Sequence, residues 1–119
     1  MDAQPLLRPP YAPVSVTTTT AALKQVMRFP VPRGGAMELD LSAIGIRSTG
    51  VPNFFRRTVR LYNSTTGVTS VVSSSAPVPD DSPGGYAVDV AFVGEDAVIS
   101  VVGAVGHTVT WGVTLLAKN

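Results

Sequence analysis

His107 is the sole imidazole in a chain of 119 residues that holds no cysteine. One histidine cannot supply the ligand set of a zinc or iron site, and without thiols neither disulfides nor thiolate ligation exist. A Ser-His-Asp arrangement would rest on His107 alone, and no G-x-S-x-G elbow accompanies it. His107 follows Gly106 at the start of an alternating segment, where local hydrogen bonding at a strand end is the expected role. Two acidic pairs, Asp80–Asp81 and Glu95–Asp96, lie in loop-like sequence. Calcium takes such oxygens, but EF-hand spacing is absent and solvated turn acids are the expectation. The residues therefore point away from an enzyme, with no catalytic residue, cofactor or bound metal expected.

Arginine carries the next signal. Arg28, Arg33, Arg47, Arg56, Arg57 and Arg60 are six of the nine basic residues, while five of the eight acids lie between Asp80 and Asp96. A net charge of +1 conceals this separation. Three readings fit: a basic patch on one copy meeting an acidic patch on the next, a solvated face, or a nucleic-acid surface with Phe54 and Phe55 beside Arg56 and Arg57. The interface reading is preferred, because arginine suits bidentate pairing with carboxylates and the bulk charge gives little pull on nucleic acid. Arg56, Arg57, Arg60, Asp80 and Asp81 are the interface candidates. Trp111, Tyr62 and Tyr86 are core anchors or a platform for a ligand such as a cell-surface glycan.

Strands must position these residues. The chain contains 19 Val, 12 Thr and 10 Ser, with 11 Gly and 10 Pro. Val and Thr are β-branched and suit a pleated surface, whereas Gly and Pro punctuate turns. Met37, Leu39 and Leu41 alternate with Glu38 and Asp40, the period-2 pattern of a half-buried strand. Phe55, Val59 and Leu61 repeat the pattern, as do Tyr86, Val88, Val90 and Phe92. His107, Val109, Trp111, Val113 and Leu115 share one face of the last strand. Gln25, Met27, Phe29 and Val31 are assigned to one strand face. Residues 42–54 contain Gly45, Gly50 and Pro52 and are predicted to be a loop or irregular edge. Residues 68–72 are predicted to be a return strand, followed by a long loop over 73–85. Short turns around Gly94 and Gly103–Gly106 predict that the last three strands form an antiparallel meander. The sum is an all-β, antiparallel two-layer sandwich or jelly-roll-like fold of about eight strands over residues 14–119.

Residues 1–13 are predicted to be an extended arm, because Pro5, Pro9, Pro10 and Pro13 fix φ and remove backbone donors. The arm is either frayed or lies on a neighbouring subunit and buries Leu6, Leu7 and Tyr11 there. Neither a secretory leader nor a membrane span is visible, so a protein that is soluble when made is expected.

Val101, Gly103, Gly106, Thr108 and Trp111 match a V-x-G-x-x-G-x-T-x-x-W pattern. On that pattern residues 84–119 resemble the closing hairpin of small β-sandwich structural proteins of tailed phages and phage-like gene transfer particles. Arg56-Arg57-Thr58-Val59-Arg60 is a looser match. The resemblance implies a virion part and leaves its location open. A chain of 119 residues is too short for a fibre shaft, so a head-surface place is expected, as a capsid decoration or a vertex spike or spike base, with capsid or other virion proteins as partners and a trimer or pentamer for a threefold or fivefold site. The alternative is a receptor- or glycan-binding domain at a fibre tip or adaptor.

Overall fold

Alternation and turn residues do produce strands, and almost nothing else. The structure, a computed structural model, describes residues 14–118; Leu6, Leu7, Tyr11 and the rest of the expected arm lie outside them. The strands are β1 (Val14–Thr18), β2 (Leu23–Pro30), β3 (Gly35–Arg47), β4 (Pro52–Asn63), β5 (Thr69–Ser75), β6 (Ala87–Val93), β7 (Asp96–Val102) and β8 (Val109–Lys118). They form two antiparallel sheets: five strands in the order β1-β8-β3-β4-β5, and three in the order β2-β7-β6. This is the expected all-β sandwich.

The core lies between the sheets. Leu39, Leu41 and Ala43 of β3, Val59 and Leu61 of β4, and Trp111, Val113 and Leu115 of β8 come from the large sheet. Met27, Ala97, Ile99 and Val101 meet them from the small one. The inward residues are those whose period-2 alternation marks them in the sequence, because a strand buried on one face must put every second side chain there.

Three expectations are corrected. Residues 42–54 are not a loop: β3 runs to Arg47, β4 starts at Pro52, and the two pair without a register shift from Gly35–Asn63 to Ile46–Pro52. Gly45 is a strand glycine because a Cβ there would come within 2.9 Å of the Trp111 ring. The glycine marks a close packing contact, not a break. The last three strands are not a meander. β6 and β7 form a hairpin in the small sheet, but β8 enters the large sheet between β1 and β3. The crossing is made at Gly103, which passes so close to Thr18 that a Cβ would lie 2.5 Å from its Oγ1. A six-residue connection permits either a hairpin or a crossing, and β8 gains pairing on both edges by crossing. Lastly, a bulge between Gln25 and Met27 turns Gln25 outward, off the face of Met27 and Val31.

Candidate functional site

The large sheet carries a second face, directed away from the small sheet, and its rows follow from the register. One row reads Ser15, Gly112, Ile44, Phe54 across β1, β8, β3 and β4. The row towards one end is Thr17, Thr110, Ile46, Pro52. Towards the other end come Thr114, Ser42, Arg56; then Leu116, Asp40, Thr58; then Glu38 and Arg60; then Ala36 and Tyr62. Ile44, Ile46 and Phe54 are 40%, 48% and 44% exposed. One end of the face is thus apolar and its middle is charged.

Two grooves cross this face. One, of about 360 Å³, has Gly112 in its floor and Ser15, Ile44, Ile46, Thr110 and Thr114 along its sides. The other, of about 430 Å³, runs beside Ala36, Glu38, Arg60, Tyr62 and Val72. Arg60 Nε donates to Glu38 Oε1 at 3.1 Å across β4 and β3. Tyr62 is 39% exposed.

The candidates for a ligand platform separate. Tyr62 stands open, but Trp111 is 0% exposed and Tyr86 is buried. Trp111 Nε1 donates to Thr18 Oγ1 at 3.0 Å, and its ring lies 5.8 Å from both Phe55 and Tyr86. Neither ring offers a face to a sugar, because both fill the space between the sheets. The expectation of a platform is corrected at these two positions. Tyr86 Oη is 2.8 Å from His107 Nδ1, so His107 is held by a phenol at the strand end, as its sequence position suggested.

The charged candidates are brought together, but within one copy. Arg57 lies on the inward side of β4, level with Leu41, beyond the point where β5 stops covering its neighbour. An inward guanidinium needs a carboxylate, and the loop over 76–86 supplies Asp80. Arg57 Nη1 and Nη2 donate to Asp80 Oδ1 and Oδ2 at 2.5 and 2.8 Å. This bidentate bond holds the Asp80 carboxyl below its ordinary pKa and raises that of Arg57. Phe54 and Asp81 add a two-bond backbone bridge, 2.6 and 3.0 Å. Arg28 pairs with Asp96 at 2.8 Å and Arg33 with Glu95 at 2.9 Å. Arg57 and Arg60 are both already paired inside the chain, and Arg56 and Arg47 are the arginines without an ion pair among the described residues.

Asn53 is a position that sequence reasoning missed. Its buried amide donates to Gly45 O at 3.4 Å, and its Oδ1 accepts from Ser82 Oγ and Gly84 N at 3.1 Å each. Ser82 Oγ in turn accepts from Tyr86 N at 2.9 Å. The only signal was its place next to Pro52 in a segment read as irregular. No cluster of three or more His, Asp or Glu that could hold a metal occurs among the described residues.

At the other end of the sandwich, Arg33 donates to both carboxylate oxygens of Glu95 at 2.9 Å, and Asn63 Nδ2 donates to Glu95 Oε1 at 2.9 Å. Donation from Arg33, then from Asn63, lowers the Glu95 pKa from 4.5 to about 2. A carboxylate with a lowered folded-state pKa adds stability that is present above its unfolded value and lost as pH falls towards its folded one. Thermal melts should therefore lose part of their midpoint between about pH 4.5 and pH 2, and Glu95→Gln should flatten that segment. An unchanged slope in the variant would remove Glu95 as its source.

No family model and no curated protein matches the chain. Among solved structures, the chain is similar to the tailspike protein of Acinetobacter baumannii phage AM24, with a TM-score of 0.47 and 9% sequence identity. That alignment covers 89% of this chain and 25% of the tailspike chain.

Proposed function

We propose that the chain is a non-enzymatic structural protein of a virion or phage-like particle. In this reading it is a head decoration, or a vertex spike or spike base. It docks on the capsid through residues 1–13 and through the outer face of the large sheet, where Arg56 stands beside Phe54. The observation that carries the reading is that face: Ile44, Ile46 and Phe54 are exposed together next to Arg56, an arginine without an ion pair among the described residues. The closing-strand pattern from Val101 to Trp111 supports the same class. A protein that docks in many copies needs a complementary surface and no chemistry, and a cofactor-free sandwich supplies that.

A second reading, a glycan-binding domain at a fibre tip, has one observation in its favour. Tyr62 presents an exposed ring beside a groove that the Arg60–Glu38 pair borders with hydrogen-bonding groups. One experiment separates the two. Gradient-purified particles from the producing host, examined by mass spectrometry and cryo-electron microscopy, are expected to carry the chain in symmetry-repeated copies on the head surface. Density at a fibre tip selects the second reading, and absence from purified particles removes both.

A further inference from the structure

The core closes unevenly. On β6, Val88, Val90 and Phe92 pack against the core but stay half-buried, while their partners on β7, Val101, Ile99 and Ala97, are fully buried. On β5, Val71 and Ser74 lie opposite Leu61 and Val59 of β4, which are fully buried, yet Val71 is 36% exposed and Ser74 is exposed too. No residue of β5 is buried. Core packing thus stops one strand short of this side of the sandwich. Here β5 ends the large sheet, β6 ends the small one, and the two strands approach each other.

Both strands also have a free backbone edge. Beyond their ladders to β4 and β7, no backbone hydrogen bond reaches either of them among the described residues. Free edges are ordinarily blunted by lysine, proline or inward-pointing charge. The opposite side of the sandwich shows such devices, because β2 carries Lys24, Arg28 and Pro30. β5 has neither charge nor proline, and Asp89 is the one charge of β6. β5 does have a bulge at Val72, where its ladder to β4 shifts between Arg60 and Leu61. β6 pairs from Ala87 to Val93 without a shift and keeps a continuous edge.

We infer that the β5–β6 side pairs with the same side of a second copy of the chain, as a two-fold dimer. Whatever covers this side must supply two strands at once, in layers about 10 Å apart. A second copy does so by symmetry. A two-fold axis perpendicular to the sheets sets β5 antiparallel to β5 of the other copy, and β6 antiparallel to β6. The five-stranded and the three-stranded sheet then both continue across the contact. Val71, Val88, Val90 and Phe92 meet the second copy's edge there, so the residues that leave the core open in one copy close it in the pair. A single extended peptide would cover one edge and leave the other exposed. The contact is isologous and stops at two copies. It stands on the two edges alone and not on the proposed place in a particle.

Sedimentation of the full-length chain over a concentration series is expected to reach the mass of two chains. Val71→Lys and Ser74→Lys each place an inward charge at the edge. They lie on a strand with no buried residue, so both are expected to keep the native melting midpoint and to sediment as monomers. Because the chain has no cysteine, single thiols report the geometry. Ser70→Cys, Val72→Cys and Ser74→Cys sample β5 at every second residue, and each is treated with a short bis-maleimide. The best of the three is expected to give at least about tenfold more covalent dimer than Leu23→Cys, because neighbours across an axis react at high effective concentration. Leu23 is exposed on β2, at the opposite side. A monomer, trimer or pentamer would overturn the inference. So would lysine variants that stay dimeric, or a β5 thiol that links preferentially to Leu23→Cys in a mixture, which reports a head-to-tail contact. Presence of the chain on purified particles is read separately and bears only on the proposed function.

Discussion

Trp111→Ala is expected to leave the protein unfolded or barely folded at 25 °C, with a loss of about 3–5 kcal/mol against a typical domain stability of about 5–15 kcal/mol. The indole is completely buried, lies 5.8 Å from the rings of Phe55 and Tyr86, and packs against the backbone of Gly45. A backbone wall cannot move in to fill the space that the ring leaves, so the cavity term stays large. Thr18→Val separates the contributions: it removes only the acceptor for Trp111 Nε1 and should cost about 1–3 kcal/mol because the indole N–H is left buried without a partner. Urea denaturation of the two variants checks the order. A Trp111→Ala protein with near-native stability would contradict the packing described. The result also bears on function, because loss of glycan or particle binding in that variant would report unfolding rather than a missing platform. Tyr62→Ala, on the open face, is the informative change for a sugar site.

The second large effect is expected at Asn53. Asn53→Ala removes one donor and one acceptor, so Gly45 O and Gly84 N lose their Asn53 bonds, while Ser82 Oγ keeps only its contacts with Tyr86. Each buried unsatisfied group costs about 1–3 kcal/mol, but Ser82 and Gly84 are free to turn towards water, so a total of about 2–3 kcal/mol is expected. The damage should be local. Hydrogen exchange should speed up over residues 80–86 while the β3–β8 ladder stays protected, and Asp80 should lose its fixed approach to Arg57. Asp80→Asn should have a much smaller effect, since a partly exposed ion pair contributes little. Uniformly faster exchange across both sheets would show that Asn53 supports the whole fold and not the loop.

Much of the sandwich was legible, and the reasons are particular. In β3 and β8 apolar and polar residues alternate over many positions, so Leu39, Leu41, Trp111, Val113 and Leu115 could be placed inside from spacing alone. The pattern misled at residues 42–54. From Met37 to Ala43 the apolar residues of β3 are odd-numbered; beyond Ala43, Ile44 and Ile46 are even-numbered, and the strand looks interrupted. The register shows no slip at that point. The change belongs to the outer face, which turns from charged to apolar while the inward alternation continues unbroken. Pairing partners were less legible. Whether Arg57 meets Asp80 of its own chain or of another depends on where a loop of eleven residues lies, and charge spacing does not encode that. The crossing of β8 into the large sheet was likewise invisible, because it depends on a contact between Gly103 and Thr18, which are 85 positions apart.

That crossing has a consequence for biosynthesis. β8 lies between the first strand and the third, so the large sheet has no middle until residues 109–118 have left the ribosome. At about 5–20 residues per second, β1 waits several seconds for the strand it pairs with, and one edge of β3 stays open over the same interval. A product that stops early leaves β1 without its partner and one edge of β3 open, and holds none of Trp111, Val113 or Leu115. Such a fragment lacks the β8 share of the core and cannot close the large sheet, so the two halves of that sheet are joined only once β8 has been made.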